Sequence, residues 1–225
     1  MDGKVQLQTY QPGKEELNYD PIFGADPSSL SQTQDSGFKV PQVLSIIRYC
    51  LLTNDGLQKE NVFRIAGSND VVKTLKEQLI FAEAKKDFMP ILAQKIDDTY
   101  ALATLIKKFY SQLPAHSKIF ANVKNQELIL MNLAELKKRI AQPQLDLFLW
   151  LLDLLHLTLS FSTKNHQTAR SLAVLFSTVL WELPIHDPLD VRASAHQSLS
   201  QSTIVSGFLE RVLAELDEPV ENSKQ

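Results

Sequence analysis

Arg64 is the residue whose type and setting best suit chemistry, and it lies in the segment 56–67 between two predicted helices. Its neighbours Phe63 and Ile65 are apolar and need cover from the rest of the fold. Burial of this pair would pin the segment and leave the Arg64 guanidinium projecting outward, and Gly67 would let the backbone turn sharply. Such an arginine offers a fixed fork of donors to another molecule's phosphate. An arginine that caps a helix end would show the same spacing, so both interpretations stay open.

A second group of polar residues lies on a helix predicted over residues 97–112. Tyr100, Thr104, Lys107, Lys108 and Ser111 fall opposite its apolar stripe and are predicted to be exposed. Residues 71–139 carry 12 basic and 7 acidic side chains, a net charge of +5. A basic face near Arg64 would suit an acidic or phosphate-bearing partner. An ordinary solvated lysine face is the alternative.

Motifs of self-contained catalysis are absent from the sequence. The 7 glycines form neither a G-x-G-x-x-G fingerprint nor a phosphate-binding loop, and there is no G-x-S-x-G, H-E-x-x-H or C-x-x-C motif. The single cysteine, Cys50, excludes a disulfide framework and a thiolate metal site, and the 5 histidines are scattered. We therefore expect no metal site and no cofactor of the chain's own, and any nucleotide would be held by a partner.

The apolar spacing is helical along most of the chain, and no strand is indicated. It predicts an all-α fold, a single bundle of about seven to eight helices around an almost wholly apolar helix at 143–161, on which Asp146 and Asp153 form a solvated stripe. Three of the other predicted helices are marked by their starts: at Pro41, after Ser68 or Asn69, and after Thr163 or Asn165. Three more are predicted over residues 97–112, 128–140 and 198–216.

Composition divides the chain into three parts and excludes some functional classes. Residues 1–36 are acidic and are expected to form a partly disordered arm that docks through Ile22 and Phe23; residues 37–216 are the helical domain and 217–225 a polar tail. The net charge of -3 argues against a dedicated nucleic-acid binder. The most apolar stretch, residues 145–161, is shorter than the ~20 residues a bilayer requires, so no membrane-spanning segment is expected.

Three ordered groups of residues resemble the RhoGAP family, the Rho GTPase-activating domains. The first comprises Phe23-Gly24, Val40-Pro41, Gly56-Leu57, Glu60, Val62-Phe63-Arg64-Ile65 and Gly67. The second is Leu105-Ile106-Lys107 with Phe109 and Leu113-Pro114, and the third is Thr168-Ala169 with Leu172-Ala173-Val174, Phe176 and Leu180. The resemblance covers residues 22–215, and its first group is the most specific. Members of this family are all-helical, as the apolar spacing independently predicts.

The resemblance implies that Arg64 is an arginine finger, inserted into the nucleotide site of a Rho-family small GTPase in its GTP-bound state. GTP, Mg²⁺ and a water-positioning glutamine would belong to that partner. Phe63 and Gly67 would support the finger loop, and Lys107 would brace it or touch the partner. The positions implied to contact the partner are Lys107, Lys108, Ser111 and Ser171. The implied location is the cytoplasm, with recruitment to membranes through the partner.

The sequence departs from the family pattern where partner contacts are expected. Asn61 stands in place of a glycine, Ser111 in place of a second basic residue, Ser171 in place of an asparagine, and Ser177-Thr178 in place of Gly-Pro. A hydroxyl is shorter than an amide and lacks its paired donor and acceptor. We therefore predict GTPase activation with a weakened or shifted partner preference. The alternatives are a degenerate module that binds a small GTPase without stimulating hydrolysis, and a purely structural helical scaffold.

Overall fold

The structure, a computed structural model, describes residues 21–181 and 191–217. Within these ranges it contains a two-stranded sheet and nine α-helices, so the predicted all-α bundle is confirmed. The strands are β1 (Gln32–Asp35) and β2 (Phe38–Pro41). The helices are α1 (Gln42–Thr53), α2 (Asn69–Lys85), α3 (Met89–Leu92), α4 (Thr99–Ser111), α5 (Leu133–Arg139), α6 (Gln144–Leu159), α7 (Ser162–Asn165), α8 (Ala169–Leu180) and α9 (Val191–Asp217).

Residues 21–36 are folded onto the bundle, where the sequence predicted a partly disordered arm. Ile22 and Phe23 are buried, and β1 pairs with β2 in an antiparallel hairpin that sets Thr33 opposite Val40. Gly37 has a φ of 85°, which glycine adopts freely and which closes the turn between the strands. The hairpin has no counterpart in the sequence prediction, because each strand is only four residues long. The remaining arm residues, 1–20, and residues 218–225 of the tail lie outside the described residues.

Helix α4 lies at the centre of the region that carries Arg64, since it packs against α1, α2 and α8. Asp98 caps its first turn by accepting a hydrogen bond from the Ala101 N–H at 3.2 Å. The helix ends at Ser111, shortly before Pro114, so the predicted span of 97–112 agrees closely with the structure. Its buried residues recur at helical spacing and include Ala101, Leu102, Leu105, Ile106 and Phe109.

Helix α6 is the most apolar helix, and it packs against β2 and α9. The stripe that the sequence predicted to be solvated is only partly so, because its two carboxylates have protein partners. Asp153 accepts a 2.6 Å hydrogen bond from Arg48 Nη2 of α1, and Asp146 accepts one of 3.4 Å from the Lys39 N–H of β2. The two carboxylates are partnered because α1 and the hairpin run along this face of α6. No helix in the described ranges is long and apolar enough to cross a bilayer.

Helix α8 begins at Ala169, because Thr168 and Ser171 form a capping box in which each hydroxyl accepts from the other's N–H. Thr163 and Asn165, which the sequence offered as caps for this helix, lie instead in the short α7. The other starts that differ from prediction are those of α5, at Leu133 rather than 128, and of α9, at Val191 rather than 198.

Candidate functional site

Arg64 is exposed on the loop of residues 59–68, called the Arg64 loop below. Its anchor is the pair Val62 and Phe63, both fully buried, and the Phe63 ring meets Phe176 of α8 edge to face with centroids 5.2 Å apart. The expectation that Ile65 would be buried is wrong, because this side chain is 42% exposed. The loop is therefore pinned just before Arg64, and the arginine and its successor both face outward.

A turn at Asn61 fixes the backbone of Arg64. Asn61 has a left-handed φ of 54°, a conformation that asparagine tolerates better than most residues. Its carbonyl oxygen accepts hydrogen bonds from the N–H groups of Arg64, at 2.8 Å, and Ile65, at 3.0 Å. The Arg64 backbone is thus tied within the loop, while its guanidinium stays at the surface.

One face of α4 holds the Arg64 loop through three side chains spaced one helical turn apart. The Tyr100 hydroxyl donates to the Glu60 carbonyl oxygen at 3.0 Å. The Thr104 hydroxyl accepts from the Gly67 N–H at 3.1 Å. Lys107 Nζ donates to the Phe63 carbonyl oxygen at 2.6 Å. The sequence placed these three side chains in solvent; they are half-buried because the loop lies across them, and burial lowers the pKa of Lys107.

Gly67 is required by close packing rather than by a turn. A Cβ at this position would lie 2.7 Å from the carbonyl carbon of Tyr100 and closer still to the backbone of Ala101. The next residue, Ser68, donates its N–H to Asp98 Oδ2 at 2.7 Å, so the cap of α4 also fixes the start of α2. We expected a sharp backbone turn at Gly67. The structure instead shows the Gly67 backbone in direct contact with that of Tyr100 and Ala101.

Asn165 is the residue at this site that sequence reasoning did not identify. It is fully buried, and its carbonyl oxygen accepts a 2.8 Å hydrogen bond from the Asn61 N–H of the Arg64 loop. Its side-chain amide donates to the carbonyl oxygens of Leu57 and Thr158, both at 2.8 Å. No sequence pattern pointed to it, because a polar residue in a short link between helices usually suggests a cap.

The remaining predicted contact residues do not bond to the Arg64 loop. Lys108 is exposed, and the Ser111 hydroxyl donates to the Lys108 carbonyl oxygen at 3.0 Å. The Ser171 hydroxyl is occupied at the start of α8, where Gln167 Oε1 at 2.7 Å and the Thr168 carbonyl oxygen at 2.9 Å share its one proton. Ser171 thus has little left to offer a partner.

The arrangement can present a cation to a group outside the molecule. Among the described residues no group of three or more His, Cys, Asp or Glu side chains could hold a metal ion. The Arg64 guanidinium is the cation next to the buried anchor of this loop, and a phosphate is its natural counterpart.

The sequence is similar to RhoGAP domains. The family model of the RhoGAP domain matches residues 41–184. Rho GTPase-activating protein gacA of Dictyostelium discoideum is 33% identical over 176 residues, which cover 75% of this chain and 48% of that protein. Rho GTPase-activating protein 1 of Arabidopsis thaliana is 24% identical over 204 residues, which cover 88% of this chain and 40% of that protein. The chain thus spans about half the length, or less, of these relatives.

Solved structures share the fold. Human Rho GTPase activating protein 15 superposes with a TM-score of 0.55 at 15% identity, over 76% of this chain and 81% of that chain. The BH domain from GRAF, the GTPase regulator associated with focal adhesion kinase, gives 0.54 at 19% identity, over 77% and 93%. The family model covers more than half of the chain and the helical fold agrees with it, so the chain belongs to the RhoGAP family.

Proposed function

We propose that this protein accelerates GTP hydrolysis by a Rho-family small GTPase, to which it supplies Arg64 as an arginine finger. The observation that carries the proposal is the contrast within two consecutive residues. Phe63 is fully buried and held by Lys107, while Arg64 is exposed and has its backbone fixed by Asn61. A cation on a rigid support loses little freedom when it meets a phosphate, and this is what electrostatic catalysis requires.

The chemistry is shared between the two proteins. The partner carries GTP, Mg²⁺ and the group that orients the attacking water, and Arg64 meets the negative charge that develops on the transferred phosphoryl group. Arginine fingers supplied to GTPases raise kcat by about 10³–10⁵-fold. Because only the GTP-bound partner has this phosphoryl group, the GTP-bound state is the one recognised. We place this reaction in the cytoplasm, with recruitment to membranes through the partner.

Single-turnover hydrolysis tests the proposal. A panel of Rho-family GTPases loaded with GTP is mixed with excess wild-type protein, with Arg64→Ala, or with Arg139→Ala. Arg139 is a matched control, because it is an exposed arginine whose bond goes to Glu127 rather than to the Arg64 loop. We expect Arg64→Ala to lower the rate by at least 10³-fold with the responsive GTPase, and Arg139→Ala to leave it within twofold. Equal rates with wild type and Arg64→Ala would refute the catalytic role.

The second candidate function is a module that binds a small GTPase without stimulating hydrolysis. The hydroxyl of Ser171 favours it, because this group is bound to Gln167 and Thr168, just before α8, where the resemblance implies a partner-contacting amide. Capture by GTPase loaded with GDP, with a non-hydrolysable GTP analogue, or with a transition-state analogue separates the two functions. A catalyst binds the transition-state analogue most tightly. Equal capture in the last two states would favour the binding module.

A further inference from the structure

We propose that Asn165 is a positioning residue for Arg64, acting through the backbone of the Arg64 loop. The inference rests on the proposed function, because it concerns how the arginine is placed for that reaction. Asn165 is fully buried, so a docked partner would not touch it. Its effect on the reaction must therefore be transmitted through the hydrogen bonds that it makes.

The polar groups of Asn165 are all engaged. The side-chain amide nitrogen donates to the carbonyl oxygens of Leu57 and Thr158, and Oδ1 accepts from the Gln167 N–H, each at 2.8 Å. The backbone N–H donates to the Phe161 carbonyl oxygen at 3.0 Å. Since two donors and an acceptor are bound in fixed directions, the Asn165 side chain is held in one orientation.

These bonds join four separate parts of the fold at one residue. Thr158 belongs to α6, Gln167 precedes α8, and Leu57 lies in the short 3-10 turn that precedes the Arg64 loop. The fourth part is the Arg64 loop itself, whose Asn61 N–H donates to the Asn165 carbonyl oxygen. Asn165 therefore sets where the loop leaves the bundle, relative to the two helices behind it.

A chain of two backbone bonds continues from Asn165 to the arginine. The Asn61 N–H is bound to Asn165, and the Asn61 carbonyl oxygen accepts from the Arg64 N–H, both at 2.8 Å. The two groups belong to adjacent rigid peptide planes that meet at the Asn61 Cα, so a shift of the first plane carries the second with it while the φ of 54° is kept. Loss of the Asn165 amide would free the turn at Leu57 that leads into the Arg64 loop, and would leave the Asn165 carbonyl group less firmly placed, so that Arg64 could move by up to about 1 Å. Misplacement on that scale costs a reaction about 10²-fold in rate.

The face of α4 and the Asn165 amide hold different points of this segment. Tyr100, Thr104 and Lys107 bind the Arg64 loop itself, whereas the Asn165 amide binds Leu57, in the turn just before the loop. With Asn165 altered, the loop stays attached to α4, so the partner-facing surface is largely kept. We therefore expect the maximal rate to fall, while the half-saturating protein concentration stays nearly unchanged.

A double-mutant cycle tests this role. Asn165→Ala is measured in the wild-type background and together with Arg64→Ala, by single-turnover hydrolysis at saturating protein, with the folded fraction checked by circular dichroism. We expect about a 10–100-fold loss of maximal rate with Arg64 present, and less than a twofold further loss when Arg64 is absent. The half-saturating concentration should change less than threefold. Thr163→Ala, in an exposed residue of α7, is the matched control and should stay within twofold of wild type.

The cycle separates failure of the inference from failure of the proposed function. If Arg64→Ala equals wild type, the proposed function falls and the inference with it. If Arg64→Ala is slow but Asn165→Ala is not, the positioning role alone is overturned. An equal loss from Asn165→Ala in both backgrounds would also overturn it. Partial unfolding lowers the rate by the same factor whether or not Arg64 is present, whereas a positioning role needs Arg64. Should Asn165→Ala not fold, Asn165→Ser retains one hydroxyl donor in less volume, and the same cycle and criteria apply to it.

Discussion

Lys107 Nζ donates a 2.6 Å hydrogen bond to the carbonyl oxygen of Phe63, the residue directly before Arg64. Burial lowers the pKa of this ammonium, so the contact is made at some cost to its charge. A lysine that only needed to attract an acidic partner would be better placed in solvent. Its position instead joins α4 to the backbone that carries the exposed arginine, and this suggests a direct test of what the bond does.

Lys107→Met should lower the maximal rate of stimulated GTP hydrolysis by about 10–100-fold. Methionine matches the length of the buried part of lysine but cannot donate to the Phe63 carbonyl oxygen, so the loop before Arg64 loses one support. The loss should be smaller than that of Arg64→Ala, because the guanidinium is still present. Single-turnover kinetics measures it, with Lys137→Met on α5 as the control; full activity of Lys107→Met would contradict the interpretation.

Gly67→Ala and Gly207→Ala should change stability in opposite directions. A Cβ on Gly67 would press into the backbone of Tyr100 and Ala101 in α4, where no flexible side chain can give way, and such overpacking costs about 1–3 kcal/mol. On Gly207 of α9 a Cβ would meet only Arg211 Nη1, at 3.9 Å. Alanine there should gain up to about 1 kcal/mol, because glycine is unfavourable within a helix.

Denaturant unfolding of the two glycine variants and wild type, at one temperature, measures both effects. The prediction fails for Gly67 if its alanine variant unfolds at the wild-type midpoint, since the two backbones would then have separated without loss. Gly67→Ala should also slow stimulated hydrolysis, because the Arg64 loop has to move away from α4. Gly207→Ala should not.

The sequence was sufficient for the features that depend on regular spacing. The helical repeat of apolar residues predicted α4 to within two residues, and the apolar residue before Arg64 correctly indicated an anchor at Phe63. The role given to Ile65 was wrong, because the turn at Asn61 directs Val62 and Phe63 inward and the following residues outward. That turn depends on one left-handed residue, which no apolar pattern encodes.

Apolar spacing could not show which contacts hold the Arg64 loop, although the family resemblance implied that Lys107 would brace the loop or touch the partner. Tyr100, Thr104 and Lys107 share a polar helix face, and such a face predicts solvent unless another segment is known to cover it. Asn165 is separated from Leu57 by 108 positions, so their bond depends on the packing of α6 and α7 against the turn that contains Leu57. Polar partners brought together by tertiary structure leave no periodic signal in either segment.

Ser171→Asn should strengthen the interaction with the GTPase. The Ser171 hydroxyl is bound to Gln167 and Thr168, whereas the longer amide of asparagine could extend past the capping box and offer both a donor and an acceptor. One added hydrogen bond of about 1 kcal/mol would lower the half-saturating protein concentration by about 3–10-fold. Titration in the single-turnover assay measures this, with Thr203→Asn on α9 as the control.

The Ser171→Asn variant also tests which GTPases the protein prefers. If the serine has shifted the preference rather than only weakened it, the gain will be confined to some members of the GTPase panel. A variant that binds no member more tightly would show that the lost amide is already replaced by another contact.

Asp26→Asn should destabilise the protein at neutral pH and have less effect in acid. Asp26 accepts hydrogen bonds from Ser28, from His116 Nε2 at 2.7 Å and from the Ser117 hydroxyl at 3.0 Å, and so ties the N-terminal segment to the bundle. These bonds, above all that from the Ser28 hydroxyl, hold the pKa of the Asp26 carboxyl well below its usual range.

The sign of the pH dependence follows from this lowered pKa. A carboxyl whose folded pKa lies below its unfolded value of about 3.9 stabilises the fold above that value, and the contribution is lost as the pH falls toward the folded pKa. The difference in unfolding free energy between wild type and Asp26→Asn should therefore be largest near pH 6 and shrink steadily below about pH 4. Denaturant unfolding of both proteins at about pH 6, 4 and 3 measures this difference. Asp97→Asn, which alters an exposed pair with Lys95, should stay close to wild type at each pH, and a gap for Asp26→Asn that is constant from about pH 6 to about pH 3 would contradict the role of its charge.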